Sequence, residues 1–328
     1  MTTIGVIIAK PLAQQLFSPQ DRSALAALGE VRWWDGEQPP NVQEAAALLA
    51  DCDVALGSWK TPSPKSEDLV HACPKLRLWL HVAGSVKHFF SPAAIERELV
   101  IASCKGAIAD SVAEFVVGEM IVGLRQMVPD AVSHRQDSGA KVNAVKVLAT
   151  STIGIVGASV VGLEVAKLLR HFGATIRLYD PYFSPQAAEE YGLSLCPDLL
   201  PMMDGLDVLT IHTPLLDATR RQIHGAHFRA LADDAIVINA ARGPCIAEDE
   251  LIVELEKGRL FAFLDVTDPE PAAPDSPLRS LPNVVLTSHN AGPATQLLGR
   301  QAVADVKAFL NGGSPRHVIT ADMLERIA

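Results

Sequence analysis

Beyond Thr152, short apolar runs recur at intervals that leave room for one helix between each pair. They occupy residues 153–156, 175–179, 208–211, 235–239, 261–265 and 284–287. Runs of this length, rich in Val and Ile and bounded by Gly, Pro, Asn or Asp, read as buried strands. Helical periodicity over residues 162–172, 186–191 and 247–256 fills gaps between them. Parallel strands need such crossovers, so this half predicts a doubly wound open sheet of six strands. A weaker series precedes it, with strands at 4–9, 54–57, 76–82 and 99–103 and helical patterns at 20–28, 42–49 and 66–73. Residues 110–127 read as a long helix, 129–151 as a polar traverse without periodicity, and 294–310 as a further helix. The expected fold class is α/β with two doubly wound parallel-sheet domains, since 328 residues exceed one ordinary core.

Composition limits what these domains do. Hydrophobic residues make up 48% and charged residues 20%, the balance of a soluble globular chain. Gly, Lys or Asp interrupts every apolar run well before the roughly 18 residues a membrane span needs. The opening Met1-Thr2-Thr3-Ile4-Gly5-Val6 resembles a first strand and not a secretory leader. Five scattered cysteines without metal-like spacing point to reduced thiols in a cytoplasmic protein, and no metal site is expected. A net charge of −10 disfavours a general nucleic-acid binder.

The first strand of the stronger series runs into Gly157-Ala158-Ser159-Val160-Val161-Gly162 and then into an amphipathic helix. This is a dinucleotide turn, G-x-G-x-x-G, with serine in the middle place. Gly157 permits the tight turn and Gly162 close helix–strand packing. The free N–H groups at the helix start, around Val160 and Val161, can receive a pyrophosphate. Ser159 either crowds that phosphate or donates its hydroxyl to it. Eighteen residues past Gly162 the next strand ends at Asp180-Pro181. A carboxylate there suits the ribose hydroxyls of NAD and repels the 2′-phosphate of NADP; the plainer alternative is an Asp-Pro turn.

Three later segments each place a charged residue just after an apolar run: Asn239-Ala240-Ala241-Arg242-Gly243, Asp265-Val266-Thr267-Asp268-Pro269-Glu270-Pro271 and Leu286-Thr287-Ser288-His289. One parallel sheet would bring all three to the same edge. An arginine to hold an anion, a histidine to move a proton and a carboxylate to tune it suffice for carbonyl–alcohol interconversion.

With these motifs in order, the chain resembles the D-isomer-specific 2-hydroxyacid dehydrogenases, the family of phosphoglycerate dehydrogenases and glyoxylate/hydroxypyruvate reductases. Asp110-Ser111-Val112-Ala113-Glu114 and Ile211-His212-Thr213-Pro214-Leu215 add to the match, which is strongest over 104–292. The resemblance implies an NAD-binding Rossmann domain, 104–292, inserted into a flavodoxin-like substrate domain, 1–103 with 293–328, and an active site in the cleft between them. It implies a homodimer through the NAD-binding domain and a 2-hydroxy or 2-keto acid as substrate. Arg242 would bind the substrate carboxylate and carbonyl oxygen, His289 would be the general acid/base, and Glu270 would hydrogen-bond His289 and raise its pKa. Asp265 would orient the nicotinamide carboxamide. His212, Thr213 and Pro214 would line the adenosine side, with Ala240 and Ala241 also at the cofactor.

The substrate loop departs from the family's G-V-G-x-D. It reads Ala83-Gly84-Ser85-Val86-Lys87, although backbone N–H groups at Ala83, Gly84 and Ser85 could still hold a carboxylate. Upstream, Trp59 and Lys60 occupy a loop that in some relatives selects the distal group of the substrate. Two alternatives stay open on this scaffold: an NAD(H)-sensing regulatory protein, motivated by Ser159 and the altered loop, and a phosphite dehydrogenase-like enzyme. Glutamate at 270 speaks against formate oxidation.

Overall fold

The computed structural model describes residues 1–84, 86, 89–136, 145–320 and 323. Two compact units emerge: Met1–Ile108 with Pro293–Ala328, and Ala109–Gly292. The second is thus inserted in the first, and the helix Lys105–Leu124 carries the chain across the first boundary. Strands of the first unit are β1 (Thr3–Val6), β2 (Glu30–Trp33), β3 (Val54–Gly57), β4 (Leu78–His81) and β5 (Val100–Ser103). The second unit holds β6 (Thr152–Val156), β7 (Thr175–Tyr179), β8 (Ser194–Leu195), β9 (Val208–Ile211), β10 (Ala235–Asn239), β11 (Leu260–Leu264) and β12 (Val284–Leu286). The chain then returns to the first unit for β13 (Val318–Ile319).

In the first unit the order is β13-β5-β4-β3-β1-β2. Strands β1 to β5 are parallel in the 2-1-3-4-5 arrangement of flavodoxin-like sheets, and β13 adds an antiparallel edge. Side chains alternate between faces, so each strand feeds two cores. Ile4, Val6, Leu56 and Leu80 pack with Leu298, Ala302 and Val306 of the helix Gln296–Leu310. On the other face Ala55, Trp79 and Ile101 pack with Ala45, Leu49 and Leu69 from the helices Val42–Leu49 and Glu67–Ala72.

The second unit has the order β12-β11-β10-β9-β6-β7-β8, all parallel. This is the Rossmann arrangement, with the strand order reversing between β6 and β9. It has seven strands where six were expected, because the two-residue β8 adds an edge too short to leave an apolar run.

Two further differences share one cause. The traverse expected over 129–151 begins instead with the helix Met127–Gln136, in which none of residues 127–135 is buried. Strand β2 was not expected at all; half its residues are charged and it forms the sheet edge, where Arg32 pairs with Glu30 and Asp51. Neither element presents the buried stripe on which periodicity depends. No described helix is long and apolar enough to cross a membrane.

Candidate active site

The carboxyl ends of β10, β11 and β12 are stitched together beyond the sheet. Asp265 N–H donates to Asn239 O at 3.0 Å, and His289 N–H donates to Asp265 O at 2.9 Å. Asn239 is wholly buried and shapes the turn after β10: its side-chain oxygen accepts the Ala241 N–H at 3.1 Å and its amide donates to Arg242 O at 3.0 Å. Arg242 follows with its side chain exposed and Nη1 donating to Ala241 O at 2.6 Å. Gly243 comes next because nothing larger fits: an added Cβ would collide with the backbone of Thr267. The loop bearing Arg242 thus rests on the loop that leads to Glu270.

His289 adopts a left-handed backbone with φ 56°, a conformation that residues other than Gly, Asn and Asp rarely take. Its Nδ1 lies 2.7 Å from Glu270 Oε1. Both side chains are close to half exposed, at 48% and 41%, so the imidazole edge stays open while one nitrogen is occupied. The buried Asp265 holds the His289 turn. Its carboxylate accepts the Thr287 hydroxyl at 2.5 Å, the Asn290 N–H at 2.7 Å and the Ala291 N–H at 2.9 Å. Three donors offset the cost of burying that charge.

Sequence reasoning did not single out Asn239, or Glu119 from the helix Lys105–Leu124. Glu119 is buried and neither carboxyl oxygen has a partner among the described residues. Burial first, and then the negative charge of Asp265, push its carboxyl up to about 8, so it is protonated at neutral pH. Its one sequence signal was an acid in an apolar helical run, Val116-Val117-Gly118-Glu119-Met120-Ile121.

At the switch point, Gly157 has φ 98° and sits so close to the β9 end that a Cβ would lie 2.9 Å from Thr213 N and 3.0 Å from His212 C. Ser159 is the N-cap of the helix Val160–Phe172, its Oγ accepting the Gly162 N–H at 3.2 Å. Its φ of −67° shows that the middle place needs no left-handed backbone. The first-turn N–H groups of Val160 and Val161 have no intrahelical acceptor, as at any helix start. Asp180 receives the Ala158 N–H on Oδ2 and the Tyr182 N–H on Oδ1, each at 2.8 Å.

Among the residues expected on the adenosine side, His212 is buried and its Nε2 lies 2.9 Å from Thr210 Oγ1. Burial pushes it down to about 3, leaving it neutral. Thr213 is buried, and Pro214, Ala240 and Ala241 are half-buried. A glycine turn against β9, free amides at a helix start and an acid ending β7 fit a dinucleotide.

The family model for the D-isomer specific 2-hydroxyacid dehydrogenase, NAD binding domain, matches residues 117–291, more than half of the chain. The chain belongs to the D-isomer specific 2-hydroxyacid dehydrogenase family. It is an NAD-dependent oxidoreductase. A glyoxylate reductase of Korarchaeum cryptofilum is 28% identical over 306 residues, covering 90% of this dehydrogenase and 91% of the relative. A D-3-phosphoglycerate dehydrogenase of Methanocaldococcus jannaschii is 27% identical over 92% of the chain, which spans 58% of that relative's length. Among solved structures, a phosphoglycerate oxidoreductase from Rhizobium etli superposes with a TM-score of 0.83 at 22% identity, covering 98% of each chain. That likeness shows the fold.

The residues expected to contact substrate at Lys60 and after β4 lie in the first unit. Ser58 Oγ donates to Val82 O at 3.0 Å, tying the Lys60 loop to the loop after β4. Lys60 is exposed with φ 64°, and Trp59 is 38% exposed. Ala83 is buried and Gly84 half-buried, with open space where a Cβ would be. Ser85 and Lys87 lie outside the described residues. Among the described residues no group of His, Cys, Asp and Glu is arranged to hold a metal ion.

Proposed function

We propose that this dehydrogenase reduces a small 2-keto acid to the D-2-hydroxy acid, with Arg242, Glu270 and His289 as its catalytic set. The observation that carries this reading is the 2.7 Å contact of His289 Nδ1 with Glu270 Oε1 on the sheet edge that also carries Arg242. A carboxylate only accepts, so Nδ1 carries the proton of that bond and Nε2 is left to face substrate. His289 Nε2 then gives a proton to the carbonyl oxygen in reduction and removes it in oxidation. Bound NADH supplies the hydride. Arg242 holds the substrate carboxylate through its forked N–H donors. Asp180 receives the adenosine ribose, the Val160 and Val161 amides the pyrophosphate, and Asp265 fixes the turn that presents His289.

The glyoxylate and phosphoglycerate names of the relatives support a two- or three-carbon acid, with Lys60 and the backbone of Ala83 and Gly84 as candidate contacts. Five free cysteines support a cytoplasmic location. Exposed Ile121, Met127, Val132, Val145 and Val147 in the second unit support a homodimer through that unit, which light scattering tests. The deciding assay follows NADH absorbance with glyoxylate, hydroxypyruvate, phosphohydroxypyruvate and branched or aromatic keto acids. Turnover of one or more is expected; none across the panel would overturn the reading.

A further inference from the structure

The loop Thr267–Pro271 has a fixed start and an exposed end. Its Thr267–Asp268 backbone sits against Gly243, and Thr267 Oγ1 donates to Pro269 O at 2.8 Å. A third restraint comes from Glu248, the first residue of the helix Glu248–Glu256, whose Oε2 accepts the Asp268 N–H at 2.9 Å. Glu248 is only 9% exposed, whereas Asp249 beside it is exposed and pairs with Arg221. An acid that served only the helix dipole would work equally well in solvent. Instead the chain places this carboxyl indoors, next to Asp268 and Asp249, whose charges oppose its ionisation, and spends it on one backbone amide.

Two residues beyond that amide stands Glu270. Among the described residues its side chain bonds to His289 alone. Otherwise its backbone holds it, anchored before it at the Asp268 amide and after it at Ala272, whose carbonyl accepts from Arg279 Nη2 at 2.6 Å. The segment from Arg242 to Glu248 therefore touches the Glu270 loop at both its ends, through Gly243 and through Glu248.

We propose that Glu248 is a positioning residue: by anchoring the Asp268 amide it sets the reach of Glu270 to His289, and it ties that reach to the loop that bears Arg242. This rests on the catalytic reading above, and goes beyond it by assigning a function to a side chain that touches neither substrate nor cofactor.

The test compares Glu248→Met, which keeps the length but removes the acceptor, with Glu248→Gln, which retains an acceptor oxygen, alone and combined with Glu270→Ala. The first readout needs no substrate: the proton on His289 Nδ1, observed by imidazole NMR, should lose its hydrogen-bonded shift in Glu270→Ala and in Glu248→Met and keep it in Glu248→Gln. The second is kcat/KM for the fastest keto acid of the panel. Loss of a hydrogen bond to a charged group predicts about a tenfold drop in Glu248→Met. In the Glu270→Ala background the same change should cost nothing further, since both act through one contact. Should Glu248→Met fail to fold, Glu248→Ala is read in the same way. A drop that persists in the Glu270→Ala background, or an unmoved His289 signal in Glu248→Met, would overturn the proposal. A Glu270→Ala enzyme as active as the parent would instead remove the catalytic reading beneath it.

Discussion

Asp180 and Ala158 are joined across the first crossover of the second unit, the Asp180 Oδ2 accepting the Ala158 N–H at 2.8 Å. The acid at the end of β7 is thereby held over the glycine turn at the end of β6, with Oδ1 occupied by the Tyr182 N–H. That carboxylate is therefore already oriented for the ribose contact proposed for it. Asp180→Ala is expected to weaken NADH binding about tenfold or more, as loss of a charged hydrogen bond does. Fluorescence titration measures it, and an unchanged Kd would take Asp180 out of the ribose site.

Arg242 should behave as a fork and not as a point charge. Arg242→Ala is expected to lower kcat/KM for a 2-keto acid by about 10²–10³-fold, and Arg242→Lys should recover little of it. Cofactor affinity should stay put in both. Full recovery by lysine would mean that charge alone binds the carboxylate.

Glu119 gives a stability prediction whose sign follows from its environment. Its carboxyl is raised from 4.5 to about 8 in the folded chain, so the folded state binds the proton more tightly than the unfolded one. That contribution is complete below pH 4.5 and is lost as pH rises towards 8. Glu119→Gln, which cannot ionise, should stabilise the protein by about 4 kcal/mol at pH 8 and hardly at all at pH 4.5. Urea unfolding at the two pH values reads this difference; an equal effect at both would show that Glu119 titrates normally.

Gly162 lies against Gly157, and an added Cβ would collide with the Gly157 carbonyl oxygen. Backbone cannot yield there without opening the turn. Gly162→Ala is expected to cost about 1–3 kcal/mol of stability and to weaken NADH binding with it. Thermal unfolding and titration on one sample check both. Loss of affinity at unchanged stability would place the clash on the ligand instead.

Most of the central strands were legible because they are buried on both faces and leave continuous apolar runs, as in β6, β9 and β10. The edge strand β2 and the helix Met127–Gln136 were not, since they carry charge or lie exposed, whereas the apolar edge strand β12 was. Within the site, Gly157, Asp180, Arg242 and His289 each announced themselves by following a strand. Asn239, Glu119 and Glu248 did not: each depends on its surroundings in the fold, as with the charge of Asp265, 146 residues on, felt by the buried Glu119, or on a turn whose shape no motif records.

The sequence by itself determined the α/β class, the order of the apolar strands and their crossovers, and the residue types that follow those strands, because these depend on local period and on backbone rules. Tertiary structure set the distances at which they touch, and it alone paired Glu248 with Asp268, whereas the family resemblance already implied the Glu270–His289 contact. Glu270 meets His289, and Glu248 meets Asp268, across 19 and 20 residues. Such contacts depend on where two loops come to rest on neighbouring strands, and packing sets that, not local pattern.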